Sequence, residues 1–219
     1  MILEPNFYES RETKIISRAT NRRVLHLGCV GHTDLPLERK IELAGETLHA
    51  GLEKVCTSVL GVDLDRQAIE GLKAAGTFSN LVVGDACKLD PDQIGDGWEL
   101  IVVGDLIEHV SNPGALLDSI RSVMNSETRL LITTPNSFSL PATIRHAIGA
   151  FREGNEHVLS FNYINIQQLL DRHGFETESV GTCYQHLARS SAFFNIGKAV
   201  FRIFPRFGGT LFITAKPKV

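Results

Sequence analysis

Val24-Leu25-His26-Leu27-Gly28-Cys29-Val30-Gly31-His32 is the stretch that decides how this chain folds. Val24–Leu27 reads as a short buried strand running into a glycine turn. Gly28 and Gly31 let the backbone approach a ligand closely and turn N–H groups toward it. A loop of this kind suits a nucleotide-like cofactor. Val30 stands where a G-x-G pattern has its second glycine. Valine is β-branched and stiff, so the loop is expected to keep a negative φ there. A dinucleotide fingerprint, G-x-G-x-x-G, requires glycine at both Val30 and Thr33, so NAD is a poor fit.

Outward from this stretch, strand-like and helix-like segments alternate. Ser58–Val62, Leu81–Val83, Leu100–Val103 and Arg129–Thr133 are further apolar runs, and Phe175–Thr182 and Thr210–Ala215 look like two last strands. Between them, Leu35–Glu53, Arg66–Ala75, Pro113–Met124 and Ile166–Arg172 read as helices. Pro113 opens one, Gly76 closes another, and Gly174 is a C-cap candidate. Strands separated by helix-length segments predict right-handed crossovers and a mostly parallel sheet. In such sheets ligands bind beyond the carboxyl ends of the strands.

Composition narrows the class. The chain has 219 residues, 43% of them hydrophobic, which is enough for a sizeable core. Its net charge of −3 gives no global argument for nucleic acid. The opening residues lack the apolar run of a signal peptide, and no apolar stretch reaches the roughly 20 residues of a membrane span. The four cysteines are scattered and form no C-x-x-C pair, which suits a reducing cytoplasm. A cytoplasmic location is the expectation.

Asp63, Asp85 and Asp105 each stand just after an apolar run. Asp63 is placed to accept from two ribose hydroxyls, and Asp85 from an adenine amino group. Each also suits a helix N-cap or Asx-turn, a common use of aspartate there. Together, the pieces HLGCVG, GVDLD, VVGDA, WELIVVGDLIEHVSNP, LLITTPN and LLDRHGFE resemble the class I S-adenosylmethionine-dependent methyltransferases, over roughly residues 22–178. The resemblance implies an α/β fold, a Rossmann-like three-layer sandwich. Its seven-stranded sheet is mostly parallel, with the last strand antiparallel. It implies a single domain over 1–219 with insertions at about 137–165 and 187–208. It also implies that S-adenosylmethionine is held by His26, Gly28, Cys29, Gly31, Asp63, Leu64, Asp85, Ala86, Gly104 and Asp105. His26 departs from the family pattern, which has an acid there to orient the cofactor's ammonium group. A neutral imidazole still accepts a hydrogen bond; a charged one repels the ammonium. In similar proteins a helix before the first strand closes over the cofactor, which places Tyr8 and Arg11 near it.

If Asp105-Leu-Ile-Glu108-His109 starts a helix, its first, fourth and fifth residues share a face. This resembles the E-x-x-E-H cluster of small-RNA 2′-O-methyltransferases and ubiquinone-pathway O-methyltransferases, which hold a divalent metal there. His157 is then the distal histidine. Many relatives carry a similar E-H pair without metal, so His109 and Glu108 are assigned as catalytic residues rather than ligands, and no metal residue is assigned. Asn136 and His157 are the candidate substrate contacts. Asn136 suits a turn equally well. Lys198, Arg202 and Arg206 recur every four residues in 190–207 and form a basic stripe if helical, open to peripheral membrane contact or to packing on the domain. The expected function is methyl transfer to a small-molecule or glycan- or lipid-linked acceptor, at oxygen, with nucleic acid disfavoured. Carbon or nitrogen is the alternative acceptor atom. A non-catalytic S-adenosylmethionine-binding or partner-binding module on the same fold is the alternative function. No motif identifies the acceptor or the oligomeric state.

Overall fold

In the computed structural model, the strand that opens into the glycine turn lies inside an eight-stranded sheet. The structure describes residues 2–8, 10–31, 35–150, 154, 156–183 and 200–218. The strands are β1 Asn6–Tyr8, β2 Arg23–Leu27, β3 Ser58–Asp63, β4 Leu81–Val83, β5 Leu100–Gly104, β6 Arg129–Pro135, β7 Phe175–Cys183 and β8 Thr210–Pro217. Their spatial order is β1-β7-β8-β6-β5-β2-β3-β4. Strand β8 runs antiparallel between β6 and β7, and every other pairing is parallel. The α/β sandwich and the antiparallel last strand match the expectation. Among the described residues the count of seven is corrected to eight, because Asn6–Tyr8 adds a short edge strand alongside Gly181–Cys183. Three residues carry too little pattern to read as a strand.

Side chains alternate across the central strands and so serve two cores. Leu25, Leu27, Ile101 and Val103 point to one side. There they meet Leu116, Leu117 and Ile120 of the helix Pro113–Ser122, and Ile166 and Leu170 of the helix Asn165–Arg172. Val24, Leu100, Val102 and Leu131 point to the other, against Ile15 and Ala19 of helix α1 (Arg11–Ala19) and Leu52. Near β4, Ala68, Ile69 and Leu72 of the helix Arg66–Ala74 form a third cluster. Burial on both faces is why β2 and β5 are continuous apolar runs.

The expected helix Leu35–Glu53 is broken into three. Helix α2 (Leu37–Leu43) passes into a 3-10 turn, Ala44–Glu46, and Thr47 then caps helix α3 (Leu48–Glu53) by accepting from the Ala50 N–H. A threonine oxygen at that position supplies a fresh N-cap, which propensity alone does not reveal. Strands β2 and β5 are neighbours, and the sheet winds outward from them in both directions. Their carboxyl ends therefore flank the topological switch point, where open α/β sheets bind ligands.

No described helix is long and apolar enough to cross a membrane. Lys198 and residues 190–199 lie outside the described residues. Arg202 belongs to a short helix at 200–203, whereas Arg206 sits in a 3-10 turn, Pro205–Phe207. The stripe expected over 190–207 is thus interrupted, because Pro205 cannot continue the helix.

Candidate active site

Gly28 and Gly31 have φ of +73° and +69°, the left-handed region that glycine enters without strain. Val30 keeps a negative φ, as its branching requires. Not every loop N–H is open to a ligand. Gly28 donates to the Val62 carbonyl at 2.9 Å, and Val30 donates to Asp63 Oδ2 at 3.0 Å. Among the described residues, no group accepts the N–H of Gly31, while that of Cys29 lies against its own thiol. The Cys29 thiol is buried, and burial pushes its pKa well up, so it packs as a small neutral group.

Asp63 therefore works first as a tie. Its Oδ1 accepts from the Asp65 N–H at 3.1 Å while Oδ2 holds the loop. Each oxygen keeps a second lone pair for a ligand. Next to it, Leu64 is 70% exposed, a large apolar side chain standing open at the strand ends. Asp85 caps the 3-10 turn Ala86–Lys88 by accepting from the Cys87 N–H at 2.8 Å through Oδ1. Both aspartates thus perform the turn-and-cap role, with acceptor capacity left over.

His26 is 2% exposed at the end of β2. Its Nδ1 lies 3.2 Å from Nδ1 of His49. Burial, helped by the nearby His49 and Arg11, holds its pKa well below the ordinary value, so the ring is neutral. A neutral ring removes the repulsion that a charged imidazole would exert on an ammonium group.

Gly104 ends β5, and a Cβ there would lie 2.8 Å from Arg11 Nη2 and 3.9 Å from His26 Nε2. Arg11 comes from the first turn of α1, capped by Ser10. It donates to Thr133 Oγ1 at 2.9 Å and pairs with Asp105 at 3.2 Å. Thr133 in turn donates to Asp105 Oδ1. The sequence flags Arg11 by its position only; its partners lie more than 90 residues away.

Asp105 has φ +52°, so the chain does not enter a helix there. Only Ile107–His109 form a 3-10 turn. The expected shared face of Asp105, Glu108 and His109 is corrected on this point: Asp105 turns toward Arg11. Glu108, His109 and His157 do come together, with one ligand atom of each within 4.8 Å of the others. The Glu108 carbonyl accepts from the N–H groups of Val158 and Leu159, and this clasp brings His157 to His109, ring centroids 4.8 Å apart. His109 also faces Glu156 at 4.0 Å.

Glu108 is 1% exposed. Its Oε2 accepts from Thr134 Oγ1 at 2.9 Å, and its Oε1 has no hydrogen-bond partner among the described residues. Burial, then the Asp105 charge, push its pKa up to about 7. Above an ordinary value of 4.5, a raised carboxyl pKa favours the folded state at low pH. That preference is lost as pH rises through about 7, and amounts to about 3 kcal/mol when complete. In the presence of a chelator, Glu108→Gln is expected to melt several degrees above the parent at pH 8, with little difference at pH 5. Equal offsets at both pH values would contradict it.

Asn136, proposed from sequence as a substrate contact, is spent on the chain. Its Nδ2 donates to the carbonyls of Arg206 and Gly208, and its Oδ1 accepts from the Phe138 N–H. The turn role is the one the geometry supports, and Asn136 ties the end of β6 to the segment before β8.

The methyltransferase-domain family matches residues 9–180. No curated protein matches the chain in sequence. Similar solved structures include magnesium protoporphyrin IX methyltransferase from Synechocystis PCC 6803 with bound S-adenosylhomocysteine (15% identity, 94% of this chain, 82% of that one, TM-score 0.57). An N-methyltransferase from Bradyrhizobium japonicum in complex with S-adenosylhomocysteine is also similar (13%, 94%, 85%, 0.57). A small-RNA methyltransferase aligns with 99% of this chain and 26% of its own (11% identity, TM-score 0.63). At these identities the likeness is one of fold.

Proposed function

The chain belongs to the methyltransferase-domain family, and from that premise we propose that it is an S-adenosylmethionine-dependent methyltransferase acting on a small-molecule or glycan- or lipid-linked acceptor at oxygen. The observation that carries the reading is the convergence at the β2 and β5 ends. A neutral acceptor nitrogen, a guanidinium and an aspartate meet over Gly104, beside a buried carboxylate with a vacant oxygen.

These residues fit the cofactor. Asp63 would take the ribose hydroxyls through its remaining lone pairs. Leu64 would lie against the adenine, and Asp85 beside Ala86 would accept from its amino group. Arg11 would hold the carboxylate of the methionine part and His26 the ammonium, with the Gly31 N–H available beside them. When bound, S-adenosylmethionine supplies a methyl group on a cationic sulfur, already activated for in-line displacement. The protein's task is then positioning.

An oxygen acceptor still has to lose its proton. Glu108 Oε1 receives the acceptor hydroxyl's hydrogen bond, and its pKa of about 7 suits a base at neutral pH. His109, partly exposed and facing Glu156, carries the proton outward. An apolar acceptor is favoured by the helix Leu140–Ala147, which follows β6. Leu140 and Ile144 of that helix and Ile148 at its C-cap recur every four residues and are exposed.

A second reading of Glu108, His109 and His157 is a divalent cation site, favoured by the unpartnered Oε1 of Glu108. Such an ion would lower the pKa of an acceptor hydroxyl. Added Mg²⁺ or Mn²⁺ is then expected to raise the melting temperature, and His109→Ala to abolish the rise. No shift with either ion leaves the proton-transfer reading alone.

The acceptor class is tested with methyl-labelled S-adenosylmethionine and a fractionated cell extract. Label in the lipid or small-molecule fraction supports the reading. Label confined to nuclease-sensitive material would overturn it.

A further inference from the structure

A chain of hydrogen bonds behind His26 is not accounted for by cofactor contacts. Asn80, just before β4, donates from Nδ2 to the Val59 carbonyl at 2.9 Å. A carbonyl only accepts, so this bond fixes the amide's orientation and turns Oδ1 toward His49. Oδ1 lies 3.3 Å from His49 Nε2. An amide oxygen also only accepts, so Nε2 of His49 carries the hydrogen. In a neutral imidazole the other nitrogen is then bare. His49 Nδ1 therefore accepts, and His26 Nδ1, 3.2 Å away, donates. One hydrogen on Nδ1 leaves His26 Nε2 with an open lone pair.

The two rings meet end to end, their centroids 5.5 Å apart and planes 13° from parallel. His49 is fully buried in α3, with the Phe78 ring edge-on at 5.0 Å. Gly61 of β3 makes room for it: a Cβ there would lie 2.9 Å from His49 Cε1. At the other end of the relay, His26 Nε2 has no hydrogen-bond partner among the described residues and faces the space over Gly104, near Arg11.

We propose that Asn80 and His49 are positioning residues that set the tautomer of His26, presenting its bare Nε2 to the ammonium group of the cofactor's methionine part. This rests on the reading that the site takes S-adenosylmethionine. The relay does the orienting work of a carboxylate without burying a charge, which costs far more than burying a bonded neutral group. His49 must stay neutral to accept, and burial lowers its pKa as well.

The test has two independent readouts. Nitrogen-15 NMR of the imidazoles in the whole protein is expected to show hydrogen on His26 Nδ1 and His49 Nε2. Hydrogen on His26 Nε2 overturns the proposal. Calorimetric titration then compares S-adenosylhomocysteine with 5′-methylthioadenosine, which lacks the amino-acid part. His49→Phe is expected to weaken the first about tenfold and leave the second unchanged. Equal losses for both ligands would assign His49 a merely structural role and overturn the proposal. His49→Gln, whose amide oxygen still accepts from His26 Nδ1, is expected to restore most of the affinity. If His49→Phe does not fold, Asn80→Ala carries the same comparison, with a mixed His26 tautomer expected by NMR. A parent protein that binds neither ligand refutes the cofactor reading itself, whereas the tautomers alone decide the relay.

Discussion

Glu108→Ala is expected to lower the rate of methyl transfer by about a hundredfold or more, the usual range for removing a positioned proton acceptor. Cofactor affinity should change little, because Glu108 lies past β5 and its free oxygen is assigned to the acceptor. The loss should fall in kcat and kcat/KM together, as for an interaction made in the transition state. Glu108→Gln isolates the charge. It keeps the shape and an oxygen for Thr134 but cannot take a proton, so it should be nearly as slow. The comparison is read from single-turnover rates with any accepted substrate. Full activity in Glu108→Gln would remove Glu108 from proton transfer and leave it a packing group.

The second large effect belongs to Asp63. Asp63→Ala removes two backbone ties, to Val30 and Asp65, as well as the acceptors we propose for the ribose hydroxyls. Cofactor affinity is expected to fall tenfold to a hundredfold, at about 1.4 kcal/mol for each tenfold step. Asp63→Asn separates the two roles. One carboxamide oxygen still accepts from a single backbone N–H, so the loop keeps half its hold while the ribose acceptors are reduced. Affinity unchanged in a folded Asp63→Ala protein would take Asp63 out of the site.

Much of the fold was legible because the pattern is local. Apolar runs such as Leu100–Val103 mark strands buried on both faces, and glycines and aspartates mark where they end. Edge strand β1 was not legible: Asn6–Tyr8 is too short, and its pairing with β7 is set some 175 residues away. The break at Thr47 was missed because a good N-cap within an apolar-periodic segment overrides the helix pattern. Two factors turned DLIEH from a helix into a turn: Asp105 in the left-handed region and its tie to Arg11. Neither is encoded in the spacing of those five residues.

The site divides the same way. Strand-end residues such as Asp63, Asp85 and Gly104 follow from the strands themselves. His49 and Asn80 carried no signal, because each sits in an ordinary local context and acts only through a partner in another element. Asn136 looks available in sequence, whereas in the fold both hydrogens of its amide go to the chain, since the Arg206 and Gly208 carbonyls reach it across some 70 residues.

Whether the loop after β2 holds S-adenosylmethionine, as proposed, is decided by calorimetric titration with S-adenosylmethionine and S-adenosylhomocysteine, with NAD as control, at pH 6 and pH 8. Micromolar binding of both sulfur compounds and none of NAD is predicted. Because burial keeps His26 neutral beside His49 and Arg11, affinity at pH 6 should not fall through that residue. Binding of NAD, or of neither sulfur compound, would take S-adenosylmethionine out of that loop.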